Sequence, residues 1–156
     1  MIRRAIKDDI PRIMELLSEV LEIHAKIRPD IFVPGTTKYP AEQLEEIISN
    51  EKTPVWVDVE EGEVAGYAFC VLKDAQRSEN VVPHKLLYID DLCVAEKFRG
   101  RGIGRALFDH AVAEAKKHGC FEVTLVVWEG NDSARAFYDR MGMKPKETVM
   151  EFITED

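Results

Sequence analysis

With 156 residues, 46% hydrophobic side chains and a net charge of −8, the sequence describes one globular domain, residues 1–156, that can bury a core without disulfides or metal. The acidic balance excludes general nucleic-acid binding, which needs a broad basic surface. No apolar run approaches a membrane span, and the start, Met1-Ile2-Arg3-Arg4-Ala5, lacks the apolar region of a signal peptide.

Residues 2–5 are short and suit a strand. From Asp8, the apolar positions Ile10, Ile13, Met14, Leu17, Val20 and Leu21 recur at helical spacing, with Pro11 tolerated in the first turn and His24 near the end as a surface histidine. Residues 28–35 carry two prolines and form a loop, whose apolar Ile31 and Phe32 are expected to fold back over something. A second helix over 40–49 turns Leu44, Ile47 and Ile48 inward. Residues 55–59 and 64–72 flank Glu60-Glu61-Gly62-Glu63 and read as a hairpin. Residues 74–83 are a polar surface connection, and 85–95 are the next strand.

A helix from Gly102 ends at Lys116-Lys117-His118-Gly119, where cations meet the negative end of its dipole. Residues 121–128 are apolar or β-branched except at Glu122 and read as a strand buried on both faces. Asn131 or Asp132 caps a further helix that aligns Ala134, Phe137, Tyr138 and Met141 and stops at Gly142. Thr148-Val149-Met150-Glu151-Phe152 alternates as a closing strand. This order predicts an α/β architecture, one mixed central sheet with helices on both faces, in which the strands around Leu92 and Val126, joined by a helical crossover, run parallel. Cys70, Cys93 and Cys120 are odd in number and set among apolar residues, so they read as free thiols of a reducing compartment rather than a metal site.

The stretch Phe98-Arg99-Gly100-Arg101-Gly102-Ile103-Gly104-Arg105 is the chemical centre of the sequence. A glycine-rich turn that opens a helix presents unpaired N–H groups to an anion, and glycine lets that backbone come close. Lys97, Arg99, Arg101 and Arg105 add positive charge, so a polyphosphate is the implied ligand. The dinucleotide fingerprint fails because it would need glycine at Arg105 or Leu107, and no Gly-Lys-Ser/Thr closes a P-loop. What remains, Arg99-x-x-Gly102-x-Gly104, resembles the pyrophosphate signature of the GNAT superfamily of acetyl-coenzyme A-dependent N-acetyltransferases. Asn131-x-x-Ala134-x-x-Phe137-Tyr138-x-x-x-Gly142-Met143 is similar to the second signature of that superfamily, with Met143 where Phe is usual.

The resemblance implies acetyl-CoA as cofactor and assigns places to it. The backbone of Leu92, Cys93 and Val94 would pair with the pantetheine arm in a gap where two parallel strands splay apart, and N–H groups from Arg101, Gly102, Ile103, Gly104 and Arg105 would hold the pyrophosphate, with Arg99 and Gly100 beside them. One strand N–H, that of Val94, would stabilise the oxyanion. Asn131 would contact the cofactor or hold the turn, and Tyr138 would protonate the departing thiolate, its ring being otherwise a core residue. The loop carrying Phe32 would shape the acceptor pocket.

Asp90 and Asp91 interrupt the apolar strand, and an unpartnered buried carboxylate is costly, so each needs a role. Strand alternation groups Tyr88, Asp90, Leu92 and Val94 on one face and Ile89, Asp91 and Cys93 on the other. The run Tyr-Ile-Asp-Asp-Leu-Cys-Val resembles the strand of the diamine and polyamine acetyltransferase branch, which implies Asp90 as the base. A structural or substrate-orienting role for both aspartates stands beside it, with Tyr88, Asp91 and Glu129 as acceptor-pocket candidates and Glu129 or His84 as distant proton carriers. The expected function is direct acetyl transfer from acetyl-CoA to a small, polyamine-like primary amine in the cytoplasm, without metal. A peptide N-terminus or lysine as acceptor, or a silent acyl-CoA-binding module, are the alternatives. Many members of the superfamily pair as dimers, so the resemblance also admits a homodimer.

Overall fold

The computed structural model describes residues 1–75 and 78–155, so part of the connection expected at 74–83 lies outside the described residues. Among the described residues, five strands form one sheet in the order β1-β2-β3-β4-β5. They are β1 (Ile2–Arg4), β2 (Val55–Glu60), β3 (Glu63–Asp74), β4 (Lys85–Val94) and β5 (Glu122–Leu125). Among the described residues, four α-helices complete the fold: α1 (Ile10–Ile27), α2 (Ala41–Ser49), α3 (Ile103–Lys117) and α4 (Asp132–Arg140). β1 to β4 pair antiparallel, and β4 with β5 parallel. The mixed sheet and the parallel pair across the α3 crossover agree with the sequence reading.

Local chemistry explains most of these elements. α1 buries Ile10, Ile13, Leu16 and Leu17 along one stripe. Its start is tied to β1 because Arg3 grips the Asp9 carboxylate through two nitrogens at 2.7 and 3.0 Å, while the Ile6 N–H donates to the same group. The β2–β3 hairpin turns on Glu61 and Gly62, both at positive φ, as a tight two-residue turn requires. Gly66 on β3 has no room for a side chain: a Cβ there would sit 2.7 Å from the Cys93 carbonyl oxygen and 3.1 Å from Leu107 of α3. α3 therefore packs on the sheet face that carries Gly66. Tyr39, just before α2, stacks on Phe69 of the opposite face with ring centroids 5.8 Å apart.

Four local expectations differ. The register of β3 and β4 shifts between Phe69 and Cys70, which oppose Asp91 and Ile89, so Asp90 is an extra residue with no partner. The bulge shifts the alternation beyond it: Tyr88 shares a face with Asp91 and Cys93 rather than with Leu92 and Val94, and the bulged Asp90 also reaches that side, where it meets Lys38 and Tyr39. β5 is only four residues long, and Phe121 and Val126 at its ends are 76% and 70% exposed rather than buried on both faces. Its ladder with β4 runs only from Leu86 and Glu122 to Ile89 and Leu125, and its outer edge has no partner strand. Residues 148–152 form no strand, because a strand exists only where a neighbour completes its hydrogen bonds. Ile31 is exposed, and only Phe32 of that loop folds back.

Candidate active site

A cleft of about 1010 Å³ opens where β4 and β5 part. Pairing stops at Ile89 and Leu125, leaving the far half of β4 without a neighbour on that side. The Ala95 N–H donates to the Ala65 carbonyl of β3 at 2.7 Å, and the Val94 carbonyl accepts from Arg99 Nε on the other side. Backbone groups alternate in direction along a strand, so Leu92 and Val94 aim their N–H groups into the gap, whereas those of Cys93 point to β3. The expectation that the Cys93 backbone meets a ligand arm is thereby corrected.

The glycine turn closes one end of the cleft. Gly100 and Gly102 both adopt positive φ, at 78° and 79°, and open space lies where their side chains would be. α3 then begins at Ile103, and the first helical bond back to the turn runs from the Ala106 N–H to the Gly102 carbonyl. The amides of Ile103, Gly104 and Arg105 thus have no intrahelical acceptor and remain for an anion. The side-chain charge nearby is largely matched. Lys97 pairs with Glu63, Arg101 with Glu61 and Arg105 with Asp109, while Arg99 reaches the Val94 carbonyl. Gly104 has a second role, because a Cβ there would press on the Phe137 ring at 3.3 Å and on Val94 at 3.5 Å. Its hydrogen lets α4 lie against α3.

α4 brings Tyr138 to this junction. The Asn131 side chain caps the helix by accepting from the Ala134 N–H at 3.4 Å. Gly142, at φ 92°, ends it. Tyr138 sits edge-on to Phe137 with ring centroids 5.0 Å apart and 6.3 Å from Phe108. Burial, with the negative charge of Asp91 behind it, pushes the phenol well above its usual value, so it is a protonated donor at neutral pH.

The two aspartates occupy different environments. Asp90 receives the Lys38 ammonium at 3.1 Å and the Tyr39 hydroxyl, both from the segment between α1 and α2. Asp91 receives the Tyr67 hydroxyl at 2.9 Å. Burial raises the Asp91 carboxyl to about 6, against the lowering effects of the Tyr67 hydrogen bond and Lys38. The same burial raises the thiol of Cys93 to about 12 and keeps it un-ionised.

The outer wall of the cleft is aromatic. Phe32 stands edge-on to Trp128 at 5.3 Å and tilts over His24 at 5.2 Å, with Tyr88 on the strand beneath. Burial, aided by Lys38, holds the His24 imidazole below its usual value and therefore neutral. Glu129 is exposed and lies outside the cleft lining, and His84 pairs with Glu122 near the other end of β5. Lys38, Tyr39 and Trp128 were not picked out by sequence pattern, and His24, read there as a surface histidine, is half-buried in the cleft wall. Their common signal, polar or aromatic residues at helix or strand ends, is too ordinary to single them out. Among the described residues no cluster of His, Cys, Asp or Glu is arranged for a metal, and no helix is long and apolar enough to cross a membrane.

Comparison with known proteins gives a consistent result. A family model described as "Acetyltransferase (GNAT) family" matches residues 17–143. The N-acetyltransferase MJ1207 of Methanocaldococcus jannaschii is 29% identical over 148 residues, covering 95% of this chain, and the chain spans only 62% of that protein's length. A mutant of the BH1408 protein of Bacillus halodurans superposes with a TM-score of 0.95 at 32% identity, over 99% of both chains. Aminoglycoside N-acetyltransferase AAC(6')-Iy in complex with CoA shares the fold, with a TM-score of 0.72 at 15% identity over the whole of both chains.

Proposed function

The chain belongs to the GNAT acetyltransferase family, and from that membership we propose that it moves an acetyl group from acetyl-CoA to a small primary amine by direct attack. The observation that carries the reading is the gap between β4 and β5, with the inward N–H groups of Leu92 and Val94 on its wall and the free amides of Ile103, Gly104 and Arg105 at its end. An extended, amide-bearing arm with a diphosphate at its head fits that combination. The thioester it carries supplies an acyl group that an amine can take without a covalent enzyme intermediate.

The remaining roles fall to residues of this chain. The Val94 N–H aims at the position where charge develops on the carbonyl oxygen. Asp91 takes the proton of the attacking amine, because a carboxyl held near 6 is a usable base at neutral pH while an ordinary one is weaker. Asp90 holds the acceptor's ammonium: Lys38 Nζ already lies on its carboxylate, which supports a preference for primary amines at that point. Tyr138 donates to the departing thiolate. The aromatic wall of Phe32, Trp128 and Tyr88 favours an acceptor with an apolar or cationic body.

The test is release of free thiol from acetyl-CoA with a panel of small primary amines beside peptide N-termini. Turnover with the small amines supports the reading. Turnover with peptides alone overturns the acceptor class, and tight acetyl-CoA binding without turnover on any amine overturns the activity.

A further inference from the structure

The segment between α1 and α2 brings an amine of the chain itself to the cleft. Among the described residues that line the cleft, Lys38 is the only lysine. Its Nζ lies 3.1 Å from Asp90 Oδ1 and 3.3 Å from the Asp90 carbonyl oxygen. Asp90 is the extra residue of the bulge, without a partner on β3, so its backbone carbonyl meets this ammonium instead of a strand. The next residue anchors the position. Tyr39 stacks on Phe69 with ring centroids 5.8 Å apart, and its hydroxyl donates to the other oxygen of the same carboxylate. The backbone at 38 is therefore fixed beside the bulge, and a flexible four-carbon stem carries the ammonium from it.

That ammonium stands close to where an acyl group would be delivered. Leu92, whose N–H opens into the gap, follows Asp90 by two residues on β4, a span of roughly 7 Å along a strand. A turn of the lysine stem covers much of that distance. The charge of Lys38 acts on both titratable groups behind it, favouring the ionised form of Asp91 and the neutral form of His24. An amine, a carboxylate that holds it and a second carboxylate able to take its proton are thus already assembled. Arg99, Arg105 and Arg140 also line the cleft, but a guanidinium stays protonated and offers no lone pair for attack.

Given acetyl transfer in the cleft, on which this activity rests, we propose that the chain also acetylates itself, with the Lys38 amine held on Asp90 as the intramolecular acceptor. The Nζ lone pair forms a bond to the thioester carbonyl carbon, the carbon–sulfur bond breaks, and CoA leaves as the free thiol. Of the ammonium protons, one stays on the new amide, one passes through Asp91 to water, and one balances the proton taken up by the thiolate. Nothing is oxidised or reduced. The product is neutral, so the positive charge that faces Asp90, Asp91 and His24 is removed. Asp90 is left with a hydrogen bond at most, and its charge is free for the ammonium of an incoming acceptor. Unassisted acetylation would follow another order, because an ammonium paired with a carboxylate gives up its proton less readily than an exposed one. Lys116 and Lys117, exposed at the opposite end of α3 and outside the cleft, provide that comparison within the same chain.

The protein incubated with acetyl-CoA and no added amine should gain the mass of one acetyl group, located on Lys38 by peptide mapping. Lys38 should be modified at least about tenfold faster than Lys116 and Lys117, as a positioned amine should be. The rate per chain should not change on dilution, since donor and acceptor share one cleft. Lys38→Arg, which keeps a cation on Asp90, should gain no acetyl group in the cleft, and the chain unfolded in urea should show no preference for Lys38. Modification of Lys38 no faster than that of Lys116 and Lys117, or at a rate that rises with protein concentration, overturns the proposal. Turnover of added small amines by a protein whose Lys38 stays unmodified also overturns it, and leaves acetyl transfer to amines standing. Absence of thiol release both with and without added amines overturns the two together.

Discussion

The hydroxyl of Tyr67 donates to the carboxylate of Asp91 across the β3–β4 ladder, at 2.9 Å, on the face that the bulge at Asp90 creates. The bond favours the charged form of Asp91, while burial favours the neutral form and prevails, leaving the group at about 6. A base must be deprotonated, so kcat/KM should fall as pH drops through about 6. Tyr67→Phe removes the lowering contribution and should move that limb to higher pH. Asp91→Asn should abolish it, whereas Asp90→Asn should raise KM for the amine and leave the limb in place. A pH–rate series on the three variants decides; a limb lost in Asp90→Asn alone returns the base to Asp90.

Tyr138→Phe keeps the ring against Phe137 and Phe108 and removes only the proton donor. The loss should appear in kcat, about 10²–10⁴-fold if the proton transfer is wholly lost. Acetyl-CoA affinity measured by calorimetry should remain near that of the parent. An unchanged kcat would remove Tyr138 from the chemistry.

Gly104→Val should weaken acetyl-CoA binding severely, because the added carbons fill the approach to the free amides and displace Phe137 beside Tyr138. Arg99→Ala should cost less, about 1–3 kcal/mol if its charge reaches the diphosphate. Calorimetric titration of both variants gives the ranking, and undiminished binding to Gly104→Val would sink the placement of the cofactor.

Gly66→Ala tests packing alone. Its Cβ would lie 2.7 Å from a backbone oxygen, which no rotamer change relieves. The expected loss of stability is at least about 1–3 kcal/mol, read as a lower midpoint in urea.

Acid stability should depend on Asp9. Burial alone would raise its pKa, but the hydrogen bonds from Arg3 and the Ile6 N–H outweigh it and hold the group below 3.8. A depressed carboxyl stabilises the fold above its unfolded value. That contribution is present in full above about pH 4 and fades as pH falls through the lower folded value. The drop in Tm between pH 4 and 2 should therefore be larger in the parent than in Asp9→Asn, which should already be less stable at pH 7.

Local features were legible in the sequence because their causes are local. The glycine turn at 100–104, the Asn131 cap, the Gly142 stop and the amphipathic faces of α1 and α4 each depend on residues within a turn or two, and they appear where expected. What only the tertiary structure decided is what depends on a neighbour. The bulge at Asp90 arises from how β4 registers against β3, and that single extra residue brings Asp91 to the face of Tyr88, where alternation alone places Asp90 and not Asp91. The pairing of Asp90 with Lys38 joins residues 52 apart in the chain. The apolar stretches at 121–128 and 148–152 carry strand-forming residues, yet only Glu122–Leu125 becomes a strand. A strand's hydrogen bonds belong to its partner, and the sequence of one segment cannot say where that partner lies.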